Sequence, residues 1–132
     1  TVLGMPEIKR ALFPMNIMSP VCRSMPRKRA LEFLFTGDNI LPQEALEAGL
    51  VNRVVPLADL ERVSRQLAEK IAQYSPATIR LGKNAFYTTN DMEYFKTFSY
   101  LVDMLAITSM TDDAQEGVQA FFEKRQPVWK GR

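Results

Sequence analysis

"ALEFLFTG" (residues 30–37) and "EAGLVNRVVP" (residues 47–56) are the stretches on which the reading of this chain turns. In the first, Ala30, Leu31, Leu34 and Phe35 recur at helical spacing, and Gly37 supplies the stop that ends a helix running from Pro26. "PQEALEAG" (42–49) then predicts a short helix, with Pro42 in its first turn, Glu44 near its positive end and Gly49 closing it. "LVNRVVP" (50–56) carries β-branched residues up to a proline and predicts a strand ending at Pro56.

Working outward, the helical signals dominate. "MNIMSPVCRSM" (15–25) is mostly apolar, and Pro20 either kinks a helix there or begins one. Asp59 starts an amphipathic helix with Leu60, Val63, Leu67, Ile71 and Tyr74 on one face. "SPATIRLGKNAFY" (75–87) has Ser75 as a cap and Pro76 in the first turn. "DMEYFKTFSYLVDMLAITSM" (91–110) is apolar around much of its circumference, which predicts burial by another subunit or domain. "TDDAQEGVQAFFEKR" (111–125) closes the series. Thr111 is its cap, Asp112 and Asp113 suit its positive end, Lys124 and Arg125 suit its negative end, and Gly117 marks a close packing approach. One or two short strands against five or six helices predict the mostly helical part of a larger α/β fold, because a lone strand lacks partners. The chain opens at Thr1 rather than Met, which suggests a trimmed product.

The composition narrows the chemistry. With 132 residues, 46% hydrophobic and 24% charged, the chain can bury a core, and no apolar run reaches the length of a bilayer span. A net charge of +2 gives no reason to expect a nucleic-acid partner. Cys22 stands alone, so no intrachain disulfide or cysteine-rich metal site is expected, and its neighbour Val21 suggests an inert buried thiol. The chain has no histidine. That removes Ser-His-Asp and Cys-His nucleophiles and His-ligated metals from this stretch, leaving carboxylates foremost among the proton-transfer candidates.

Three local features compete for a functional role. In "GMPEIKRALFP" (4–14), Glu7 follows a proline, either as a solvated acid in a turn or as a held carboxylate. In "CRSMPRKR" (22–29), Arg27, Lys28 and Arg29 crowd a helix N-terminus, where cations are disfavoured; a solvated helix start and an anion site both remain open. In "FFEKRQPVWKGR" (121–132), cations stand beside aromatics, either as a solvated tail or as a grip on a nucleotide. Lys83 reads as a surface lysine, and no glycine spacing matches a dinucleotide or P-loop cradle.

Taken in order, "GMPEI…LFP", "RKRALEFLFTGDNI", "EALEAGLVNRVVP", "SPATIRLGK" and "DDAQEGVQAFFEKRQPVW" resemble the C-terminal part of the enoyl-CoA hydratase/isomerase (crotonase) superfamily. The resemblance implies an α/β crotonase (ClpP-like) fold. Residues 1–56 would end its β-spiral core, and residues 57–132 would form a helical region serving oligomerisation and CoA. It implies a lyase- or isomerase-type enzyme of fatty acid metabolism acting on acyl-CoA thioesters through an enolate, most readily hydrating a 2-enoyl-CoA; the alternative is an acyl-CoA-binding or assembly module without chemistry. Glu7 would be the catalytic carboxylate, exchanging a proton with the substrate's α-carbon. Phe121 and Lys124 would sit by the adenine and phosphates of CoA, commonly CoA bound to a neighbouring subunit. The oxyanion hole and a second glutamate would come from sequence before Thr1, where a glycine-rich stretch followed by Glu would favour a hydratase. The isolated chain would then be inactive. No metal and no cofactor beyond the substrate's own CoA are implied. The expected assembly is a homotrimer or hexamer, with no nucleic acid or membrane partner, in the bacterial cytoplasm or the mitochondrial matrix. Two departures stand out: "MNIMSPVC" replaces a segment often rich in glycine, and Ala11 stands where glycine is common.

Overall fold

A computed structural model describes all of residues 1–132. The chain divides into two compact units, Thr1–Leu60 and Glu61–Arg132. The helices are α1 (Met15–Ser24), α2 (Arg27–Thr36), α3 (Pro42–Glu47), α4 (Leu60–Ala72), α5 (Pro76–Thr89), α6 (Tyr94–Ser109) and α7 (Asp112–Phe122), with 3-10 turns at Pro6–Arg10 and Leu57–Asp59.

In the first unit, Met5, Val21, Met25, Ala30, Phe33, Leu34 and Ala48 form the core. The expected stripe on α2 is thus rotated. Ala30 and Leu34 are buried as anticipated, but Phe33 takes the third inward position, while Leu31 and Phe35 are exposed. Phe35 instead stacks obliquely on Phe13, with ring centroids 5.7 Å apart. On α1, Pro20 lies inside a continuous helix. Val21 points inward and Cys22, about 100° further round, is exposed, so the thiol is not the buried one anticipated.

The strand expected over 50–56 does not form; these residues are irregular after α3. The amides of Leu50 and Val51 both turn back to the Ala45 carbonyl, at 2.8 and 3.3 Å, which closes α3 and withdraws them from any ladder. The only β pairing is a single antiparallel bridge between Leu3 and Ile40. A strand is stabilised by its neighbours, and no second extended segment lies alongside this one.

From Asp59 onward the helix signals hold, with a shifted start to α4. Asp59 belongs to the 3-10 turn, and α4 begins at Leu60. Tyr74 lies past the end of α4, whose apolar side is only half-buried at Val63 and Leu67 and exposed at Leu60 and Ile71. Ser75 caps α5 by accepting from the Thr78 amide at 3.0 Å. Glu93 caps α6 by accepting from the amides of Phe95 and Lys96. Thr111 caps α7 by accepting from the Ala114 amide at 3.1 Å. The apolar girth of α6 stays uncovered: Tyr94, Phe95, Phe98, Val102 and Leu105 are all exposed.

Candidate functional site

Glu7 is carried on the 3-10 turn that Pro6 opens. Pro6 fixes φ at the first position, where no amide is needed. Ala11 closes the turn in the left-handed region at φ 57°, and its amide donates to the Ile8 carbonyl at 3.2 Å. That geometry explains why glycine suits this position. The amide of Leu12 donates to the Glu7 carbonyl at 3.1 Å, so the backbone around the carboxylate is tied on both sides.

The end of α2 forms the seat of this turn. Gly37 is left-handed, at φ 62°, and a Cβ there would stand 2.7 Å from Ile8 Cγ2 and 3.2 Å from the Met5 carbonyl oxygen. Gly37 therefore does two things: it ends the helix and lets the Glu7 turn approach. At the rim, Lys9 Nζ donates to Asp38 Oδ1 at 3.1 Å. The side chain of Glu7 is half-buried, and its Oε2 is shut off from solvent with no hydrogen-bond partner. Burying a carboxylate oxygen unpaired costs free energy, and such an atom calls for an explanation outside folding. A carboxylate oxygen whose lone pairs no donor occupies is what a proton acceptor for a carbon acid requires.

Phe121 and Lys124 lie in the other unit, at the end of α7. Their three-residue spacing does not put them on one helical face, as it would inside a helix. The helix stops at Phe122, and Lys124 is left-handed at φ 55°. The Lys124 amide donates to the Phe121 carbonyl at 3.2 Å, and the Arg125 amide reaches back to Ala120 at 3.0 Å. This is a two-bond helix closure whose left-handed position glycine normally fills. Both side chains are exposed. Phe121 packs edge-on to Phe122, with centroids 5.8 Å apart, and borders a cleft of about 680 Å³ shared with Tyr74, Gly117 and Trp129.

The tail beyond Lys124 folds back in a way sequence reading did not anticipate. Trp129 Nε1 donates to the Gln73 carbonyl at 2.7 Å, and its ring covers Gly117, where a Cβ would meet Cη2 at 3.3 Å. The close approach expected at Gly117 is therefore made by Trp129. Asp113, only 1% exposed, accepts from the Ser75 hydroxyl and from the amides of Lys130 and Gly131. Burial pushes the Asp113 carboxyl up, but these three donors and the nearby Lys130 ammonium together hold it below its usual 3.8. The Arg125 guanidinium forks onto Glu116, which also accepts from the Val128 amide. That pairing draws the Glu116 carboxyl down to about 2. The sequence signal for this pair was an acid and an arginine nine residues apart, too far to meet along a straight helix, so only the turn at Lys124 brings them together. In the first unit, the basic start of α2 holds one ion pair, Arg29 to Glu32 at 3.2 Å.

The family model for enoyl-CoA hydratase/isomerase matches residues 1–132. The chain belongs to this family. The human mitochondrial enoyl-CoA hydratase domain-containing protein 3 is 41% identical over 128 residues, which are 94% of this chain and 41% of that protein. The (E)-benzylidenesuccinyl-CoA hydratase of Thauera aromatica is 34% identical over 97% of this chain and 50% of its own. Among solved structures, an enoyl-CoA hydratase from Bacillus anthracis superposes with a TM-score of 0.93 at 35% identity, covering all of this chain and 52% of that one. This family member thus spans about half the length of the relatives it matches, or somewhat less. Its relatives include mitochondrial and bacterial proteins, and none of its helices is long and apolar enough to cross a membrane. The chain itself is mostly helical, with one antiparallel bridge and none of the one or two short strands expected from the sequence.

Proposed function

We propose that the protein containing this chain hydrates 2-enoyl-CoA thioesters through an enolate, with Glu7 passing the proton at the α-carbon. Support comes from the family membership and, above all, from Glu7 Oε2, a buried carboxylate oxygen with no partner in a chain that has no histidine. A thioester carbonyl held by two N–H donors can carry the enolate's charge, and a carboxylate beside the adjacent carbon can then give or take the proton. In this reading the donors and a second carboxylate belong to the rest of the protein, so the 132-residue chain alone is inactive. Residues 1–56 would complete the β-spiral core and residues 57–132 would serve CoA and assembly. CoA enters as part of the substrate, without a separate cofactor. Phe121 would pack on the adenine and Lys124 would meet a phosphate. The exposed apolar residues of α6 support a homotrimer or hexamer in which another copy covers them.

Kinetics of the whole protein on a short enoyl-CoA test the proposal. Glu7→Gln should lower kcat by about 10²–10⁴ with a smaller change in KM, since it removes proton transfer rather than a ligand contact. A kcat unchanged within a factor of a few, with acyl-CoA binding intact, would instead favour a binding module that has lost chemistry. The methionine-rich start of α1, in place of a glycine-rich segment, keeps that second reading in view.

A further inference from the structure

Lys124 combines two features that a helix terminator does not need. Its backbone is left-handed, a conformation disfavoured for any residue with a Cβ and retained only where the surroundings impose it. Its ammonium makes no ion pair, although the other cations of the tail do: Arg125 with Glu116 and Glu123, and Lys130 and Arg132 with Asp112. A glycine would end α7 at lower cost, and a paired lysine would add to the fold. Lys124 is thus the cation of this tail that has no carboxylate partner, exposed on a left-handed backbone.

The surroundings that impose the turn lie on both sides of it. Arg125 forks onto Glu116 with Nη1 and Nη2, at 2.5 and 3.0 Å, and its Nε donates to Glu123. Glu116 Oε1 also accepts from the Val128 amide at 2.8 Å, and Glu123 Oε1 accepts from Gln119 Nε2 at 2.8 Å. Residue 123 is therefore fixed to the helix, and residues 125 and 128 to Glu116, leaving Lys124 no freedom to relax.

We propose that Glu116 and Arg125 are positioning residues that hold Lys124 in its left-handed turn, so that its ammonium is presented to the anionic nucleotide end of a CoA thioester. The inference rests on the nucleotide role of Lys124 proposed above. The clamp is not itself the anion's seat, because Glu116, Glu123 and Arg125 together carry one net negative charge. Direct electrostatics and positioning therefore predict opposite signs. Neutralising Glu116 would strengthen phosphate binding if only charge mattered and weaken it if geometry matters.

The experiment measures kcat and KM of the whole protein for an acyl-CoA and for the matching pantetheine thioester, which lacks the nucleotide. Glu116→Gln should raise KM for the CoA thioester about three- to tenfold, leave kcat alone and leave the pantetheine KM unchanged. Arg125→Lys, which keeps the charge but loses the fork, should do the same and serves where Glu116→Gln folds poorly. In a Lys124→Ala background neither change should add anything. Lys124→Gly should raise the thermal midpoint while raising KM, because it relieves the turn and removes the ammonium. If Lys124→Ala leaves KM for acyl-CoA unaltered, the nucleotide reading fails and takes the clamp with it. If Lys124→Ala raises KM but Glu116→Gln and Arg125→Lys do not, the clamp alone is refuted. A Lys124→Gly protein that melts earlier also refutes it, since no strain was then being held.

Discussion

The Ser75 hydroxyl donates to Asp113 Oδ2 at 2.6 Å, joining the first residue before α5 to the first turn of α7 across 38 residues of sequence. The same hydroxyl oxygen accepts from the Thr78 amide, and the same carboxylate holds the amides of Lys130 and Gly131. Two helix starts and the tail thus meet at one buried pair. Ser75→Ala removes a cap worth about 1 kcal/mol and leaves Asp113 short of a donor. It should lower the thermal midpoint, and amide exchange at residues 130 and 131 should quicken. Unchanged exchange there would mean that Asp113 holds the tail without help from Ser75.

Acid should release the tail from the α7 side. Glu116 has its carboxyl drawn from 4.5 to about 2 by the Arg125 fork and the Val128 amide, against the opposing effect of burial. A carboxylate depressed in the folded state contributes stability that is complete above its unfolded value and is lost as pH falls. That contribution should therefore be intact above pH 4.5 and fade towards about pH 2. Asp113, also held low, acts in the same direction. Trp129 emission, with Trp129→Phe as the blank, should shift to the red in this window. In Glu116→Gln the shift should begin at higher pH, because one of the two acid-sensitive ties is already missing.

What the sequence revealed depended on how local the cause was. Ser75 and Thr111 were legible as caps because a hydroxyl meets an amide three residues on. Gly37 and Gly49 were legible as helix ends because a left-handed backbone favours glycine in any context. The segment at 50–56 was misread because β propensity describes fit to neighbouring strands, and here the amides of Leu50 and Val51 return to Ala45. For the candidate site, Pro6 before Glu7 was visible, but the buried oxygen depends on packing and was not. Phe121 and Lys124 would share a helical face only if α7 continued, and the left-handed turn at Lys124 is flanked by the fork of Arg125 onto Glu116, a pairing no local pattern announces.

Gly117 sits under the Trp129 ring, and its substitution separates helix propensity from packing. Alanine gains about 1 kcal/mol of propensity inside a helix. Its Cβ would meet Cη2 at 3.3 Å and Cζ3 at 3.5 Å, which asks the indole to give by a few tenths of an ångström. Gly117→Ala should therefore be close to neutral in stability. Gly117→Val gains less propensity than alanine and adds branches the ring cannot admit, so it should expel Trp129 and break its bond to the Gln73 carbonyl. A red-shifted Trp129 emission in the valine protein and not in the alanine protein is the expected result. Equal spectra would show that the ring is not seated on this glycine.

Gly37 and Ala11 both occupy the left-handed region around the Glu7 turn, with opposite consequences for substitution. At Ala11 the Cβ is already present and strained, so Ala11→Gly relieves a cost of about 1 kcal/mol, less the entropy a glycine loses on folding. The net effect should be small and stabilising, or near zero. At Gly37 a Cβ brings the same conformational cost and a 2.7 Å collision with Ile8 Cγ2, beside the Met5 carbonyl oxygen at 3.2 Å. Ile8 follows Glu7 directly, so the collision is passed to the turn that carries the carboxylate. Gly37→Ala should therefore lose more than about 1 kcal/mol of stability and also lower kcat, with KM for acyl-CoA little changed. Ile8→Ala in the Gly37→Ala background removes the colliding Cγ2 and should return part of the lost kcat, because it reopens the seat. If Gly37→Ala lowers stability but leaves kcat intact, the end of α2 supports the fold without positioning Glu7.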